Sequence, residues 1–403
     1  MVLVPPPIHP DDPGPGPLPG SILLNPQGYI SDRTNGTTAG GFTKGGKRIY
    51  VTFWAAHPPR ASCFTVHAPE LGRSAIGDIP KILCTEEDLV LLLVPICAPR
   101  ANLHPGDNDY FVYQAGAEDR PPSLQLILTP PTLFFADSAA ALLRCRCRRG
   151  DMYFIALLCQ NFTGTHFELH LYSSRSASWI NKLMRLDSPK AEEYTYTSKA
   201  ITIGGEPGSV GWTDLRHGIL ICDLLRKKNH LRVIPLPPPL LPDLPRSPPF
   251  LFQDINVFEK GCIKYFDMYL DIGSGLVVKG WEAATWRREV SSTDWEQCCR
   301  IEVRNNPAFP DAAPNLQEDE HARPILKGVY SGFPALSLHD DDVVYLMDKY
   351  DLLDTKASVI AVDMRNQTLK DVADFGCGRP FYSFIYYQSA ISKYLGLWSS
   401  TGY

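Results

Sequence analysis

The sequence predicts an all-β protein, built as a single β-propeller. Three observations predict it. Apolar or alternating runs of about 4–9 residues recur along the chain, broken by Gly, Pro, Asn and Asp, as strands and turns require. Stretches with a helical apolar period are nearly absent, and the best helix candidate, Ser383–Leu395, carries many β-favouring aromatics. Proline is abundant, 36 of 403 residues, which is about 9% against a usual ~5%. Proline donates no ladder hydrogen bond, so it ends strands and stiffens loops.

The elements follow in order. Residues 1–20 hold eight prolines and no long apolar periodicity, so they are expected to form a disordered or extended tail. The pairs Gly40-Gly41 and Gly45-Gly46 lie among polar residues and are expected to be turns. Strands are expected at Arg48–Phe53, Ser62–Val66, Lys81–Cys84, Leu89–Cys97, Tyr110–Gln114, Leu124–Leu128, Ala141–Cys147 and Met152–Cys159. Further strands are expected at Phe167–Ser173, Gly218–Leu224, Leu231–Leu236, Ile263–Leu270, Leu276–Trp281, Val343–Met347 and Ser358–Met364. Arg149-Gly150-Asp151 and Gly273-Ser274-Gly275 read as hairpin turns. An alternating strand, a polar turn and a Trp recur at Phe167–Trp179, with weaker echoes at Ser358–Leu369 and Cys63–Pro69. That is how a propeller blade ends: a tight outer turn, then an aromatic packed between neighbours.

Six blades of four antiparallel strands, about 60 residues each, fill residues 21–403. Two stacked β domains use the same strands. The propeller is preferred because no linker with a clear composition shift divides the chain. The Pro-rich stretch Pro235–Pro249 comes closest, and it reads as a strand end and an inter-blade loop.

Charge and targeting narrow the class. Lys and Arg number 39 against 44 Asp and Glu, a net charge of −5, which disfavours a nucleic-acid surface. The local basic run Arg144, Arg146, Arg148, Arg149 reads as the wet face of a strand and its turn. The longest near-continuous apolar run, Leu89–Ala98, is half the ~20 residues of a spanning helix. The N-terminus has no basic segment followed by an apolar one, so no signal peptide is expected. The expected location is the cytoplasm or nucleus, with no membrane and no secretion.

The cysteines agree with that compartment. There are 11, none in a CxxC pair, so no zinc framework is visible. Cys97, Cys159 and Cys222 lie in apolar runs as small hydrophobes. Cys145 and Cys147 fall on one face of a strand, whereas Cys298 and Cys299 point to opposite faces. Reduced thiols fit best. The sequons at Asn35, Asn161 and Asn366 are read as chance matches.

Gly211-Trp212-Thr213-Asp214-Leu215-Arg216-His217-Gly218-Ile219-Leu220-Ile221-Cys222-Asp223-Leu224-Leu225 is followed by Leu231-Arg232-Val233-Ile234-Pro235-Leu236-Pro237-Pro238-Pro239. This pairing resembles the signature of a large plant family abundant in grasses, domain of unknown function 1618. The resemblance continues through Ile263-Lys264-Tyr265, Gly280-Trp281, Thr285-Trp286 and Asp294-Trp295, with the signature region spanning about 211–350. Ile22–Pro26 and Gly28–Arg33 resemble the N-terminal opening of such proteins. The resemblance implies a plant source and a propeller related to F-box-associated and kelch-like domains. It supplies no catalytic residue, and the short Pro-rich tail implies that no F-box precedes the propeller. Read physically, Gly218–Asp223 is an inner strand covered on both faces, Asp214 and Gly218 bracket a turn, and Asp223 accepts backbone hydrogen bonds. Trp212 reads as a packing wedge rather than a ligand platform.

Catalytic patterns are missing. There is no GxxxxGK[ST] loop, GxSxG elbow or HExxH pair. His166 and His170 share a strand face but are spaced too far apart for an obvious chelate. His339-Asp340-Asp341-Asp342 lacks the spaced donors of a Ca²⁺ loop and reads as a solvated turn. No catalytic, cofactor-binding or metal-binding residue is assigned, and no cofactor is expected. The expected function is a non-enzymatic interaction module that binds another protein through its top face or channel rim, with the Pro235–Pro249 loop as a contact. The alternative is a hydrolase or sugar-processing enzyme with its site at the channel mouth.

Overall fold

The computed structural model describes residues 17–72, 75–96, 107–130, 133–147, 150–160, 166–186, 194, 196–226, 230–240, 248–258, 261–272, 278–304, 330–349, 357–375 and 386–396. These residues form strands and short 3-10 turns, with no α-helix among them. The architecture is all-β: within each unit, four-stranded sheets stack face against face. Two compact units are present.

The first unit comprises Met1–His57, Ser62–Leu236 and Ser389–Tyr403. After a short strand, β1 (Ile22–Leu24), its first sheet uses β2 (Tyr29–Ile30), β3 (Ala39–Phe42), β4 (Arg48–Trp54) and β5 (Cys63–His67). The order β2-β5-β4-β3 places β2 parallel beside β5. The second is β6 (Lys81–Glu86), β7 (Leu89–Pro95), β8 (Asn108–Gln114) and β9 (Ser123–Ile127), in chain order. The third is β10 (Ala140–Cys147), β11 (Gly150–Gln160), β12 (Phe167–Ser173) and β13 (Ser178–Leu186). The fourth is β14 (Lys199–Gly204), β15 (Ser209–Asp214), β16 (Gly218–Asp223) and β17 (His230–Pro235). Sheets three and four join into eight strands because β13 and β17 pair in parallel at Arg185 with His230 and Leu186 with Leu231.

Period-two patterning explains the stacking. In β7 every residue is buried. Val90, Leu92 and Val94 enter a core shared with the first sheet, while Leu89, Leu91 and Leu93 enter one shared with the third. β11 repeats the device: Tyr153, Ile155 and Leu157 face the second sheet, Ala156 and Leu158 the fourth. A strand sandwiched between two sheets therefore reads as a solid apolar run, whereas the outer strands β9, β13 and β17 alternate with exposed polar residues.

The second unit comprises Pro58–Ala61 and Pro237–Gln388. It holds β18 (Gln253–Phe258), β19 (Cys262–Ile272), β20 (Val278–Glu289) and β21 (Glu296–Arg304), then β22 (Tyr330–Leu336), β23 (Val343–Lys349), β24 (Ser358–Asp363) and β25 (Thr368–Asp374). Both meanders are antiparallel in chain order. They share a core of Phe266, Met268, Trp281, Leu346 and Ile360. A short strand, β26 (Tyr387–Ser389), follows.

The structure differs from expectation at several places. Of the best helix candidate, Ser383–Leu395, the described part is β26 and a 3-10 turn at Ala390–Lys393, where the Ser389 hydroxyl accepts from the Ile391 amide and Ile391 and Leu395 plug the first core. Gly40 and Gly41 are not a turn but the middle of β3. They are glycines because neighbours come close: a Cβ on Gly41 would stand 2.8 Å from the Leu124 carbonyl oxygen. Gly45-Gly46 is the expected turn, with Thr43 N–H donating to Lys47 O and Gly46 at φ +71. Of the expected tail, residues 1–16 lie outside the described residues, and Leu18 packs on the first core.

Candidate functional site

The signature segment forms a strand pair. Trp212 on β15 is fully buried in the core between the third and fourth sheets, and its indole N–H donates to the Ala139 carbonyl at 2.8 Å. It is the wedge that its sequence context predicts. Asp214 caps the β15–β16 turn, accepting from the Arg216 amide at 2.9 Å and meeting His217 Nδ1 at 2.9 Å. Asp223 accepts from the Ser209 hydroxyl at 2.6 Å and lies 3.7 and 3.6 Å from Arg226 and Arg232. These contacts lock a hairpin; they do not assemble a reaction centre.

The other singled-out residues are mostly spoken for. Arg144 lies between Asp88 and Asp151, and Arg146 pairs with Glu87, so these two arginines of the basic run are matched by carboxylates; Arg148 and Arg149 lie outside the described residues. The string after His339 is a turn whose carboxylates each meet a different cation: Asp340 with Lys370, Asp341 with Lys264 and Asp342 with Arg365. Among the described residues no cluster of His, Cys, Asp and Glu is arranged to hold a metal ion. His170 stands 3.6 Å from Glu168, and burial lowers its pKa. Asn35 and Asn366 organise turns, Asn35 Nδ2 donating to Phe53 O and Asn366 to Asp363. Asn161, Cys97, Gly273-Ser274-Gly275 and residues 241–247 of the Pro-rich stretch lie outside the described residues. The described cysteines are free thiols. Burial pushes Cys159 and Cys222 up to about 11, which keeps them protonated and inert. Cys299 packs against the core of the second unit while Cys298 is exposed, on opposite faces as expected.

The surface best suited to an encounter is the edge of β13. One side of the strand is laddered to β12 from Phe167–Met184 through Ser173–Ser178. On the other side only Arg185 and Leu186 meet a described strand. Along Ser178–Met184 the edge therefore faces no described strand, and such an edge is a template for an added one. Ile180 and Leu183 are 52% and 59% exposed, and Leu128 and Phe134 nearby are 66% and 61% exposed. Trp179 ties the patch together, donating its indole N–H to Leu128 O at 2.8 Å and lying 5.4 Å from the Tyr172 ring. The edge carries Lys182 and Arg185 and no acidic residue. Sequence reasoning found the Trp of this strand but not its open edge, because Ile180, Leu183 and Met184 resemble core residues.

A second group, invisible in the sequence, lies in the second unit. Asp254 on β18 accepts the Leu336 amide at 2.9 Å, and Asp348 on β23 accepts the Ser331 hydroxyl. Burial pushes the Asp348 carboxyl up to about 7. Tyr386 is buried, with its hydroxyl lacking a hydrogen-bond partner among the described residues; burial first, then Asp254 and Asp348, raise its pKa. Alongside, β22 bulges between Gly332 and Ala335 and holds Phe333 at φ +50, a strained conformation for a bulky residue.

Comparison with solved structures returns low similarities. A subtype N11 neuraminidase-like protein of A/flat-faced bat/Peru/033/2010 (H18N11) is 11% identical, with 90% of each chain covered and a TM-score of 0.27. The β-propeller domain of the Trilobed protease from Pyrococcus furiosus is 8% identical, covering 72% of this chain and 95% of that one, with a TM-score of 0.28. The NanB sialidase from Streptococcus pneumoniae is 10% identical, covering 87% and 62%, with a TM-score of 0.27. Likenesses of this size assign no activity. No curated protein matches the chain. Residues 212–345 match the family described as a protein of unknown function, DUF1618. This stretch runs from the wedge Trp212 to Tyr345 in β23, about a third of the chain, and over it the chain is similar to the domain of unknown function 1618 family.

Proposed function

We propose that the protein is a non-enzymatic β-propeller interaction module that takes an extended segment of another protein onto the edge of β13. The observation that carries this reading is the open stretch Ser178–Met184, flanked by exposed Ile180, Leu183, Leu128 and Phe134. Main-chain hydrogen bonds supply affinity in strand addition, and side chains at alternate positions supply specificity. Lys182 and Arg185 favour a segment with apolar residues alternating with acidic ones. The six four-stranded groups support the reading of six blades. The free thiols favour a reducing compartment, cytoplasm or nucleus. The test is quantitative affinity purification and crosslinking from the native tissue, with wild type beside Ile180→Glu/Leu183→Glu. A defined partner, crosslinked through β13 and lost at least tenfold in the variant, is expected. Equal recovery by both, or no partner above background, refutes the reading.

A second reading rests on the buried group of Asp254, Asp348, Ser331 and Tyr386 beside the strained bulge, since perturbed carboxyls and strain gather at active sites. It makes the protein a hydrolase or sugar-processing enzyme. Turnover of a panel of aryl glycosides and esters, abolished by both Asp254→Asn and Asp348→Asn, supports it; no turnover by the wild type removes it.

A further inference from the structure

Adjacent arginines on β20 invert the usual arrangement. Arg287 is exposed and ion-paired to Glu296 at 2.9 Å. Arg288, on the opposite face, is only 8% exposed and has no carboxylate within ion-pair distance among the described residues. Its Nη2 donates to the Ser292 carbonyl at 2.6 Å, while Nε and Nη1 are buried without an acceptor among the described residues. Its surroundings are apolar: Ile263 lies directly across the ladder, Tyr265 and Trp286 pair beside it on the same face, and the Trp295 ring lies 5.9 Å from the guanidinium carbon. Burial pulls the guanidinium pKa below its ordinary value, with Asp294 opposing.

A buried charge without a counter-ion is among the most costly features a fold can carry. Cation–π contact with Trp295 offsets part of that cost, and one carbonyl satisfies one edge of the group. Among the described residues the remaining donors have no acceptor, and a planar oxyanion beside an aromatic wall would supply one. We propose that Arg288 anchors the carboxylate of a small molecule with an aromatic or apolar body, in a site covered by Trp295. A monoanion is the fitting charge. It neutralises the single guanidinium, whereas a dianionic phosphate leaves a net negative charge among Ile263, Tyr265 and Trp286 with Asp294 close by. Trp295 is the outer wall, its ring 6.1 Å from that of Tyr265. It sits at the end of the exposed β20–β21 turn, where Ser292, Thr293 and Asp294 bond mainly to one another, so a ligand enters by displacing the indole from the guanidinium.

The probe is benzoate, with acetate and inorganic phosphate as the contrasting arms, titrated into the full chain at low ionic strength. The readouts are tryptophan fluorescence and the melting temperature. Benzoate is expected to change the fluorescence saturably and raise the melting temperature, with half-saturation at least tenfold below that of acetate or phosphate. Arg288→Met, which removes the charge but keeps the bulk, is expected to fold and to weaken benzoate at least tenfold. Asp294→Asn, which removes the competing charge, is expected to tighten it and serves if Arg288→Met does not fold. No saturable response in the wild type, equal binding by Arg288→Met, weaker binding by Asp294→Asn, or phosphate binding more tightly than benzoate each overturns the proposal.

Discussion

Replacing Trp212 by Ala tests how the signature segment holds two sheets together. The side chain is fully buried and spends its one polar atom on the Ala139 carbonyl at 2.8 Å. An aromatic of this kind buries about 200 Å², worth about 5 kcal/mol at ~25 cal/mol per Å². Ala keeps a small share of that area, and the cavity between Val210, Leu220 and Leu143 collapses only in part, so the expected loss is about 3–5 kcal/mol. Trp212→Phe separates the two contributions. It keeps most of the apolar contact but leaves the buried Ala139 carbonyl without its indole donor, for about 1–3 kcal/mol. Urea unfolding followed by circular dichroism measures both, with an unchanged denaturant slope as the sign that only native stability moved. Trp212→Ala within about 1 kcal/mol of wild type refutes the wedge, because a residue buried between two sheets cannot be removed so cheaply.

Gly218→Ala is expected to lose about 1–3 kcal/mol by overpacking, since the new Cβ would stand 2.6 Å from the Ile234 carbonyl oxygen; a melting temperature equal to wild type refutes it. Asp348 carries a pH dependence. Its folded pKa is raised from 3.8 to about 7, so the native state holds a proton that the unfolded chain has lost, and stability falls as pH rises from about 4 to about 7. Asp348→Asn is expected to flatten that slope and to be the more stable form above pH 7; an unchanged slope across that window counts against the assignment. The pairing of Arg144 and Arg146 with Asp88, Asp151 and Glu87 predicts elution from heparin resin at low salt. Retention past physiological ionic strength, lost in Arg144→Ala/Arg146→Ala, overturns that.

The strands with solid apolar content were legible because burial on both faces leaves a signal that no turn or tail imitates. Leu89–Val94 feeds two different cores and Gly218–Cys222 is buried along its whole length, so nearly every residue must be apolar. Two other outer strands, β21 and β25, were not legible for the opposite reason. Glu296–Arg304 and Thr368–Asp374 are laddered on one side and wet over much of their length, and Gln-Cys-Cys-Arg or Thr-Leu-Lys-Asp is as good a loop as a strand. Ala39–Phe42 was hidden by its glycines, which mark close approach rather than reversal. The candidate sites divide along the same line. An ion pair such as Lys264–Asp341 joins residues 77 apart in the chain, and the Asp254–Leu336 bond spans 82; neither has a local pattern. Arg288 is the sharper case. Trp286-Arg287-Arg288-Glu289 reads as a charged run at a strand end, yet strand alternation sends one guanidinium to solvent and the next among aromatics. Which arginine goes inside depends on the register of β20 against β19, where Tyr265 faces Trp286 and Ile263 faces Arg288. A one-residue slip would bury Arg287 and expose Arg288, so the chemistry of that face is a property of the sheet pairing and not of the run of charges.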